Sequence, residues 1–353
     1  EQVTGFDLVE LQLRVARGES LAHLPLDVPL QGHSIEARLY AEDPSQGFMP
    51  QTGKIERWIV PSSPSVRVDR GVAEGSLVTS FYDPLVAKVI ATGRDRSEAI
   101  GSLLSGLADT VLLGVRTNGE FLQRILQHET FQQGEATTSF LDESGLLDRE
   151  ESAEDRRLAA LAGVIFIEEA SRSQPSGLKG WRSTGSVITP IRLQSTAGVF
   201  DLSILYEKNR YEVSIGETKS VMQVIESSPG VIPWTEDDVR RSARFMIVDD
   251  RLSVACNGMT RSFDDVTYAP PIDAQSSSGG VVRSPTSGRV LRVTGSSGKL
   301  VRKGDLLAVI EAMKMENHVV ALRDGEIDAV HIVEGQQVEA NQILVTLVEL
   351  TPQ

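Results

Sequence analysis

Cysteine, positive charge and long apolar runs are all scarce in this sequence. A single cysteine, Cys256, excludes an intrachain disulfide and fits a reducing compartment. The net charge of −14 argues against wholesale binding to nucleic acid. No apolar run approaches the roughly 20 residues that a membrane-spanning helix needs. We therefore expect neither a nucleic-acid partner nor a membrane partner.

Several signatures of catalysis are also missing. No G-x-x-x-x-G-K-[ST] phosphate-binding loop occurs, and no Ser-His-Asp arrangement follows from the spacing of these residues. A metal site is not expected, because the histidines show no ligand spacing. They are His23, His33, His128, His318 and His331.

The chain begins inside a helical pattern. Residues 1–19 (EQVTGFDLVELQLRVARGE) predict an amphipathic helix rather than a signal peptide, and no initiating methionine precedes them. We therefore expect further sequence upstream. The rest of the first 140 residues mixes predicted helices, at 96–113 and 118–126 with Asn118 as the cap, with predicted strands. The predicted strands are 34–40, 53–60, 65–68 and 85–92.

The middle of the chain changes pattern twice. An acidic segment that becomes apolar predicts a helix within residues 142–171. A Ser-, Gly- and Pro-rich connector at 172–186 precedes about seven short strand-like runs up to residue 269, which indicates a small α+β or barrel module. The runs are 186–193, 199–206, 211–215, 220–225, 244–248, 252–256 and 260–263. Residues 270–280 (PPIDAQSSSGG) are typical of a flexible linker.

The last 70 residues repeat themselves with a constant offset of 37. The paired positions are Gly288 with Gly325, Val290 with Ile327, Val293 with Val330, Gly298 with Gly335, Val301 with Val338, Gly304 with Asn341 and Ile310 with Leu347. The repeat predicts two equivalent halves of about four strands each, packed as a flattened β-sandwich with a pseudo-twofold axis. The segment 311–324 joins the halves and is expected to project into water at one end.

The joining segment contains a lysine between two methionines, Met313-Lys314-Met315. An ordinary solvated turn would favour polar neighbours, so apolar residues beside the amine indicate a recognition surface. Together with Glu311 and Ala312, this motif resembles the biotinylation site of biotinyl carrier domains. The resemblance implies that a biotin protein ligase attaches biotin to Lys314. Lipoyl domains share the fold, but their lysine usually lies beside Asp and Ala.

Three segments of the first region resemble the C-terminal part of biotin carboxylase. They are residues 32–44 (GHSIEARLYAEDP), 81–89 (FYDPLVAKV) and 117–122 (TNGEFL). The resemblance implies that Arg38 lies in the active site and stabilises negative charge on the ureido oxygen of biotin. The alternative is a strand arginine paired with Glu36 or Glu42. Asp83 and Lys88 are interpreted as supporting structure, and the family's ATP-binding part would lie upstream of residue 1.

The middle region matches, by position and pattern, the docking domain of acyl-CoA carboxylase α subunits, in which an antiparallel barrel wraps a helix. We expect core positions for Trp58, Trp181, Trp234 and Tyr206. The predicted fold is a multidomain α+β chain. Its parts are residues 1–142 (C-terminal subdomain of biotin carboxylase), 143–270 (docking domain), 271–280 (linker) and 281–350 (biotinyl carrier, a barrel-sandwich hybrid).

The resemblances together imply the biotin-carrying α subunit of a two-subunit acyl-CoA carboxylase. The cofactors and substrates implied are covalent biotin, ATP, Mg²⁺ or Mn²⁺, and bicarbonate. The partner implied is a carboxyltransferase β subunit in an α6β6-type assembly. The short middle region favours 3-methylcrotonyl-CoA or geranyl-CoA, with propionyl-CoA as the alternative. A lipoyl-type carrier or scaffold is a second hypothesis. A bacterial cytoplasm is favoured over a mitochondrial matrix.

Overall fold

The structure is a computed structural model that describes residues 1–22, 24, 27–147, 152–172, 187–248, 250–269, 280–313 and 315–348. Most of the linker at 270–280 and the connector at 172–186 therefore lie outside the described residues, as do Trp181, His23 and Lys314. Across the described ranges, no helix combines the length and apolar character that crossing a bilayer requires.

Among its described residues, the N-terminal part, residues 1–147, has five α-helices, one short 3-10 helix (Pro44–Gln46) and nine strands. The helices are α1 (Leu8–Ala16), α2 (Arg96–Asp109), α3 (Gly119–Gln127), α4 (Glu129–Gln133) and α5 (Phe140–Glu143). The strands are β1 (His33–Tyr40), β2 (Glu42–Asp43), β3 (Met49–Pro50), β4 (Gly53–Lys54), β5 (Arg57–Ile59), β6 (Val66–Arg70), β7 (Leu77–Val78), β8 (Leu85–Gly93) and β9 (Val111–Leu113).

An antiparallel sheet in the order β1-β8-β6 forms the centre of this part. Helix α2 packs on β8 and β1 through Ile100, Leu103 and Leu107, which are buried at helical spacing. The prediction of one helix over 96–113 was wrong at its end. The helix stops at Asp109, and Val111–Leu113 pairs with β5 instead, because its apolar residues are buried as a strand.

The barrel part has one helix and eight antiparallel strands. They are α6 (Ala153–Arg172), β10 (Thr189–Ser195), β11 (Gly198–Glu207), β12 (Arg210–Ile215), β13 (Thr218–Val224), β14 (Val231–Glu236), β15 (Val239–Val248), β16 (Arg251–Cys256) and β17 (Met259–Asp265). The strands close in sequence order, with β10 also paired to β17. The prediction missed β14, whose residues alternate between buried and half-buried around Trp234.

Helix α6 supplies the core of the barrel. Residues 158–165 are buried without interruption, as expected for a helix covered on all sides. Gly163 permits the close approach, since an added Cβ would lie 2.7 Å from Ile204 Cδ1. Trp234 is fully buried, as predicted, and Trp58 of the N-terminal part is buried with 8% of its surface exposed. Tyr206 is half-buried and stacks on Tyr211.

The sandwich part repeats one four-stranded arrangement. Its strands are β18 (Val281–Arg283), β19 (Gly288–Val293), β20 (Leu300–Val301), β21 (Leu306–Ala312), β22 (Met315–Val320), β23 (Gly325–Val330), β24 (Gln337–Val338) and β25 (Ile343–Val348). One sheet has the order β18-β25-β23-β20 and the other β22-β21-β19-β24, so the two sheets correspond strand by strand at the offset of the repeat. Gly304 and Asn341 both have positive φ. The predicted mixed α+β architecture is confirmed.

A buried arginine joins the N-terminal part to the barrel. Arg261 of β17 donates from Nε to Asp155 Oδ1 of α6 at 2.6 Å, and its Nη2 lies 2.8 Å from Glu120 Oε2 of α3. Burial by itself raises the pKa of the Asp155 carboxyl. Attraction to Arg261 and hydrogen bonds from Ser152 and Arg261 lower the pKa by a larger amount, so the net pKa is below its ordinary value. The carboxylate therefore stabilises the folded state while it is charged.

We predict that Asp155→Asn lowers the free energy of unfolding at pH 7 by about 3–5 kcal/mol, because a buried guanidinium loses one of its two carboxylate partners. Since the folded-state pKa of Asp155 is depressed, its contribution is present above about pH 4 and is lost as the pH falls. The difference in unfolding free energy between wild type and variant should therefore narrow below pH 4. Urea titrations at several pH values measure this difference.

The matched control is Asp201→Asn, which breaks an exposed pair with Arg192 and should leave the unfolding midpoint unchanged. A gap that stays constant with pH would contradict the prediction.

Candidate functional site

The first group of predicted site residues lies on the central sheet. In β1, Ala37 and Leu39 face the core, so Arg38 between them faces solvent. Its Nε donates to Glu36 Oε1 at 3.0 Å, and Lys88 of β8, directly opposite Arg38 in the register, lies 4.0 Å from Glu36 Oε2. The hydrogen bond to Glu36 raises the pKa of Arg38. The guanidinium is thus permanently charged, exposed and oriented by one carboxylate.

The pairing of Arg38 with Glu36 is the arrangement expected of an ordinary strand ion pair. It also leaves most of the guanidinium free to meet an anion, because the side chain is 59% exposed. Both interpretations of Arg38 made from the sequence are therefore compatible with this geometry. Glu42, the other predicted partner, instead accepts a hydrogen bond from Asn118 at 2.9 Å.

Asn118 holds the end of the strand that carries Arg38. It lies directly before α3 but makes no side-chain cap there, so the predicted capping role was wrong. Its Oδ1 accepts from the Tyr40 backbone N–H at 2.9 Å, and its Nδ2 donates to the Arg38 carbonyl at 3.2 Å. Because Asn118 is 5% exposed, these bonds are shielded from water. The carboxamide thus positions β1 from a distance of about 80 residues in sequence, which no local pattern reveals.

The second group lies at a β-hairpin in the sandwich. Strands β21 and β22 pair antiparallel, with Ala312 opposite Met315, so only two residues of sequence, Met313 and Lys314, separate the paired ends. Tight hairpin connections favour positive φ, and Met313 has φ 49°. Lys314 itself lies outside the described residues. Glu311 and Glu316 are exposed and directly opposite each other next to the turn, which places negative charge beside the lysine in sequence.

The two methionines have different environments. Met315 is 39% exposed, and the recognition surface predicted around it stays a prediction. Met313 is only 6% exposed, so the prediction of a hairpin projecting fully into water was wrong for this residue. It belongs to a buried cluster made otherwise of the N-terminal part, including Leu39 and Val86. The fold therefore brings the hairpin to the part of the chain that carries Arg38.

The remaining titratable residues considered from the sequence lie outside these two groups or support them. His318, near the turn, is exposed. Burial raises the pKa of the Cys256 thiol, which makes it a poor nucleophile. No group of three or more His, Cys, Asp or Glu residues suited to a metal ion occurs within the described ranges. Asp83 lies just before β8, and Lys88 lies within β8, where it contacts Glu36.

We predict that Asn118→Ala lowers the free energy of unfolding by about 1–3 kcal/mol, because Tyr40 N–H and the Arg38 carbonyl lose a buried partner. The control is Arg38→Gln, which alters only an exposed pair and should leave the unfolding midpoint unchanged. Chemical denaturation of wild type and both variants measures the difference in stability. Equal stability of wild type and Asn118→Ala would show that the carboxamide is dispensable for the strand.

Two protein-family models match segments near the two ends of the chain. Residues 36–143 match the family model described as "Biotin carboxylase C-terminal domain", and residues 280–347 match the one described as "Biotin-requiring enzyme". The two matched segments contain, respectively, Arg38 and the Met313–Met315 hairpin.

Two acyl-CoA carboxylase subunits are similar over almost the whole chain, and a biotin carboxylase is similar over part of it. The methylcrotonoyl-CoA carboxylase subunit alpha, mitochondrial, of Mus musculus is 32% identical over 371 residues, which cover 99% of this chain and 52% of that protein. The propionyl-CoA carboxylase alpha chain, mitochondrial, of Sus scrofa is 28% identical over 374 residues, covering 98% and 50%. The biotin carboxylase of Halalkalibacterium halodurans is 45% identical over 141 residues, covering 40% and 31%. The chain spans about half the length of the curated acyl-CoA carboxylase relatives it matches.

Proposed function

We propose that this chain, a homologue of biotin-dependent acyl-CoA carboxylase α subunits, is the part of such a subunit that carries biotin on Lys314. The observation that carries the proposal is the tight β21–β22 hairpin of a duplicated sandwich, whose paired ends Ala312 and Met315 flank Met313-Lys314 in sequence, in a chain that also matches the C-terminal domain of biotin carboxylase. We divide the chain into residues 1–142, 143–270, 271–280 and 281–350, with the roles of carboxylase subdomain, docking domain, linker and carrier.

The hairpin fits a covalent prosthetic group. The paired strands β21 and β22 hold Ala312 and Met315, which flank Met313-Lys314 in sequence, in a fixed register that a ligase can recognise. The long lysine side chain adds reach to a group that must visit separate active sites. Biotin, when attached, supplies a ureido nitrogen that accepts the carboxyl group. Met315, exposed beside the lysine in sequence, offers the apolar surface for the ligase.

Arg38 is proposed to act at the first active site. Its permanent charge can stabilise the negative charge that develops on the ureido oxygen, and Glu36 fixes the orientation of the guanidinium. Asn118 supports this site by donating a hydrogen bond to the backbone carbonyl of Arg38. Lys88 adds a second positive charge on the same face of the sheet.

The complete reaction is proposed to use ATP, Mg²⁺ or Mn²⁺ and bicarbonate for the carboxylation of biotin. A carboxyltransferase β subunit would then transfer the carboxyl group to an acyl-CoA, in an α6β6-type assembly. The relatives point to methylcrotonoyl-CoA first and propionyl-CoA second; geranyl-CoA is a further candidate. A bacterial cytoplasm is our proposed compartment, although the named acyl-CoA carboxylase relatives are mitochondrial.

We predict that co-expression with a biotin protein ligase adds the mass of one biotinyl group to the chain. Lys314→Arg should show no gain, because arginine offers no amine that can be acylated, whereas Lys303→Arg should be modified like wild type. Intact-mass spectrometry and an avidin blot measure the result. Lipoate gives no avidin signal, so a chain modified only by lipoate would point to the lipoyl-type carrier. No modification with an active ligase would contradict the carrier role.

For the complete carboxylase that contains this chain, we predict that Arg38→Gln lowers kcat of bicarbonate-dependent ATP turnover by about 10²–10³-fold, the range for loss of one donor to a developing oxyanion. The KM for ATP should stay unchanged, because Arg38 acts on biotin. Asp69→Asn, which changes an exposed charge on β6, a strand of the same sheet that does not pair with β1, is the control. Unchanged kcat in Arg38→Gln would leave Arg38 as a strand ion pair only.

A further inference from the structure

We infer that the two methionines of the hairpin have separate partners: Met313 docks the carrier on the N-terminal part of this same chain, and Met315 remains free for other proteins. The interpretation of this contact as a station in the movement of the carrier rests on the proposed function, but the contact itself does not.

The burial of Met313 originates outside the sandwich. The buried cluster that contains it otherwise consists of Leu39, Ala41, Ile55, Trp58, Val78, Val86, Ala87, Leu112 and Val115. The separate core of the sandwich does not include Met313. A side chain at the tip of a hairpin is ordinarily solvated, so its 6% exposure requires a surface supplied by another part of the chain.

A backbone hydrogen bond fixes the contact. The Met313 N–H donates to the Ser80 carbonyl at 3.3 Å. The two residues that follow, Phe81 and Tyr82, are 74% and 78% exposed, which leaves an aromatic surface beside the docked hairpin. The left-handed conformation of Met313 is costly for a residue with a Cβ, and it persists where surrounding structure holds it. Burial of the side chain and the bond to Ser80 supply that support.

The same end of the sandwich also lies close to the N-terminal part and the barrel at Pro285. Pro285 lies shortly before β19, whose first residues pair with Val338 and Glu311 next to the hairpin. It borders a polar cavity whose other walls include Arg116 of the N-terminal part and Arg251 of the barrel. The sandwich therefore sits over the seam between these two parts, with Met313 and Pro285 facing them.

The character of the contact suits reversible docking. An unbranched thioether adapts to an irregular apolar surface without demanding one exact shape. One buried side chain and one backbone hydrogen bond form a small contact compared with the interfaces of permanent complexes. The tether to the barrel raises the effective concentration of the hairpin, so even a small contact is populated. Met315, on the following strand, takes no part in the buried cluster.

A disulfide test asks whether the hairpin meets Ser80. The double variant Ser80→Cys/Met313→Cys, kept unbiotinylated, should form an internal disulfide under mild oxidation, because the bonded backbones are within disulfide reach. The control is Ser80→Cys/Val333→Cys. Val333 is exposed and adjoins Glu334, which binds the Val293 end of β19, away from the hairpin. The native Cys256 is buried and should not compete.

We expect the Met313 pair to cross-link at least tenfold faster than the Val333 pair, measured by mass spectrometry after thiol blocking. Equal rates would overturn the docking inference. Because biotin is absent from this experiment, a negative result here leaves the proposed carrier role to its own test, and failure of biotinylation would leave the cross-link unaffected.

An experiment without substitutions tests the asymmetry. Hydrogen peroxide transfers one oxygen atom to a thioether sulfur, which is oxidised by two electrons while the peroxide is reduced to water. In the folded chain Met315 should be oxidised at least fivefold faster than Met313, and in urea the two rates should be equal. Peptide fragmentation distinguishes the two positions. Equal rates in the folded chain would overturn the assignment of Met313 to a buried dock.

Discussion

The guanidinium of Arg261 is the interaction on which the relative placement of the parts depends. It lies where α3, α6 and β17 meet, and it pairs with carboxylates from the first two. A charge buried to this extent is stable only when its partners are held in place, so the pair with Asp155 fixes α6 relative to the barrel and the pair with Glu120 fixes the barrel against the N-terminal part. The seam formed in this way is the surface over which the sandwich lies.

The sandwich is placed so that its β21–β22 hairpin contacts the part of the chain that carries Arg38. Arg38 belongs to a strand fixed by Asn118, and Met313 is buried in a cluster that includes the next residue of that strand, Leu39. The lysine between the methionines is thus tied in sequence to a residue docked on the part of the chain that carries the proposed charge-stabilising arginine. A rigid receiving surface and a small, adaptable contact are what a reversible carrier needs, since a large interface would retain it.

Patterns that repeat along the sequence predicted the fold well. The offset of 37 predicted two equivalent sheets because each half must bury the same apolar face against the other, and the strand orders agree with it. Alternating apolar residues located most strands of the barrel, but Val231–Glu236 was missed because Pro233 and Trp234 interrupt a plain alternation. The overlong helix at 96–113 arose because VLL continues an apolar pattern equally well as helix or strand, and only its pairing with β5 decides between them.

The sequence by itself determined the residues on which the proposed carrier role rests: a lysine between two methionines, at the centre of a repeat, in a chain whose beginning resembles biotin carboxylase. Those features depend on residue type and spacing, which are local. Tertiary structure alone decided that Asn118 positions β1 rather than caps a helix, that Arg261 joins two parts of the chain, and that Met313 and Met315 differ in environment. Each of these is a contact between residues distant in sequence, and its energy comes from burial that exists only after the chain has folded.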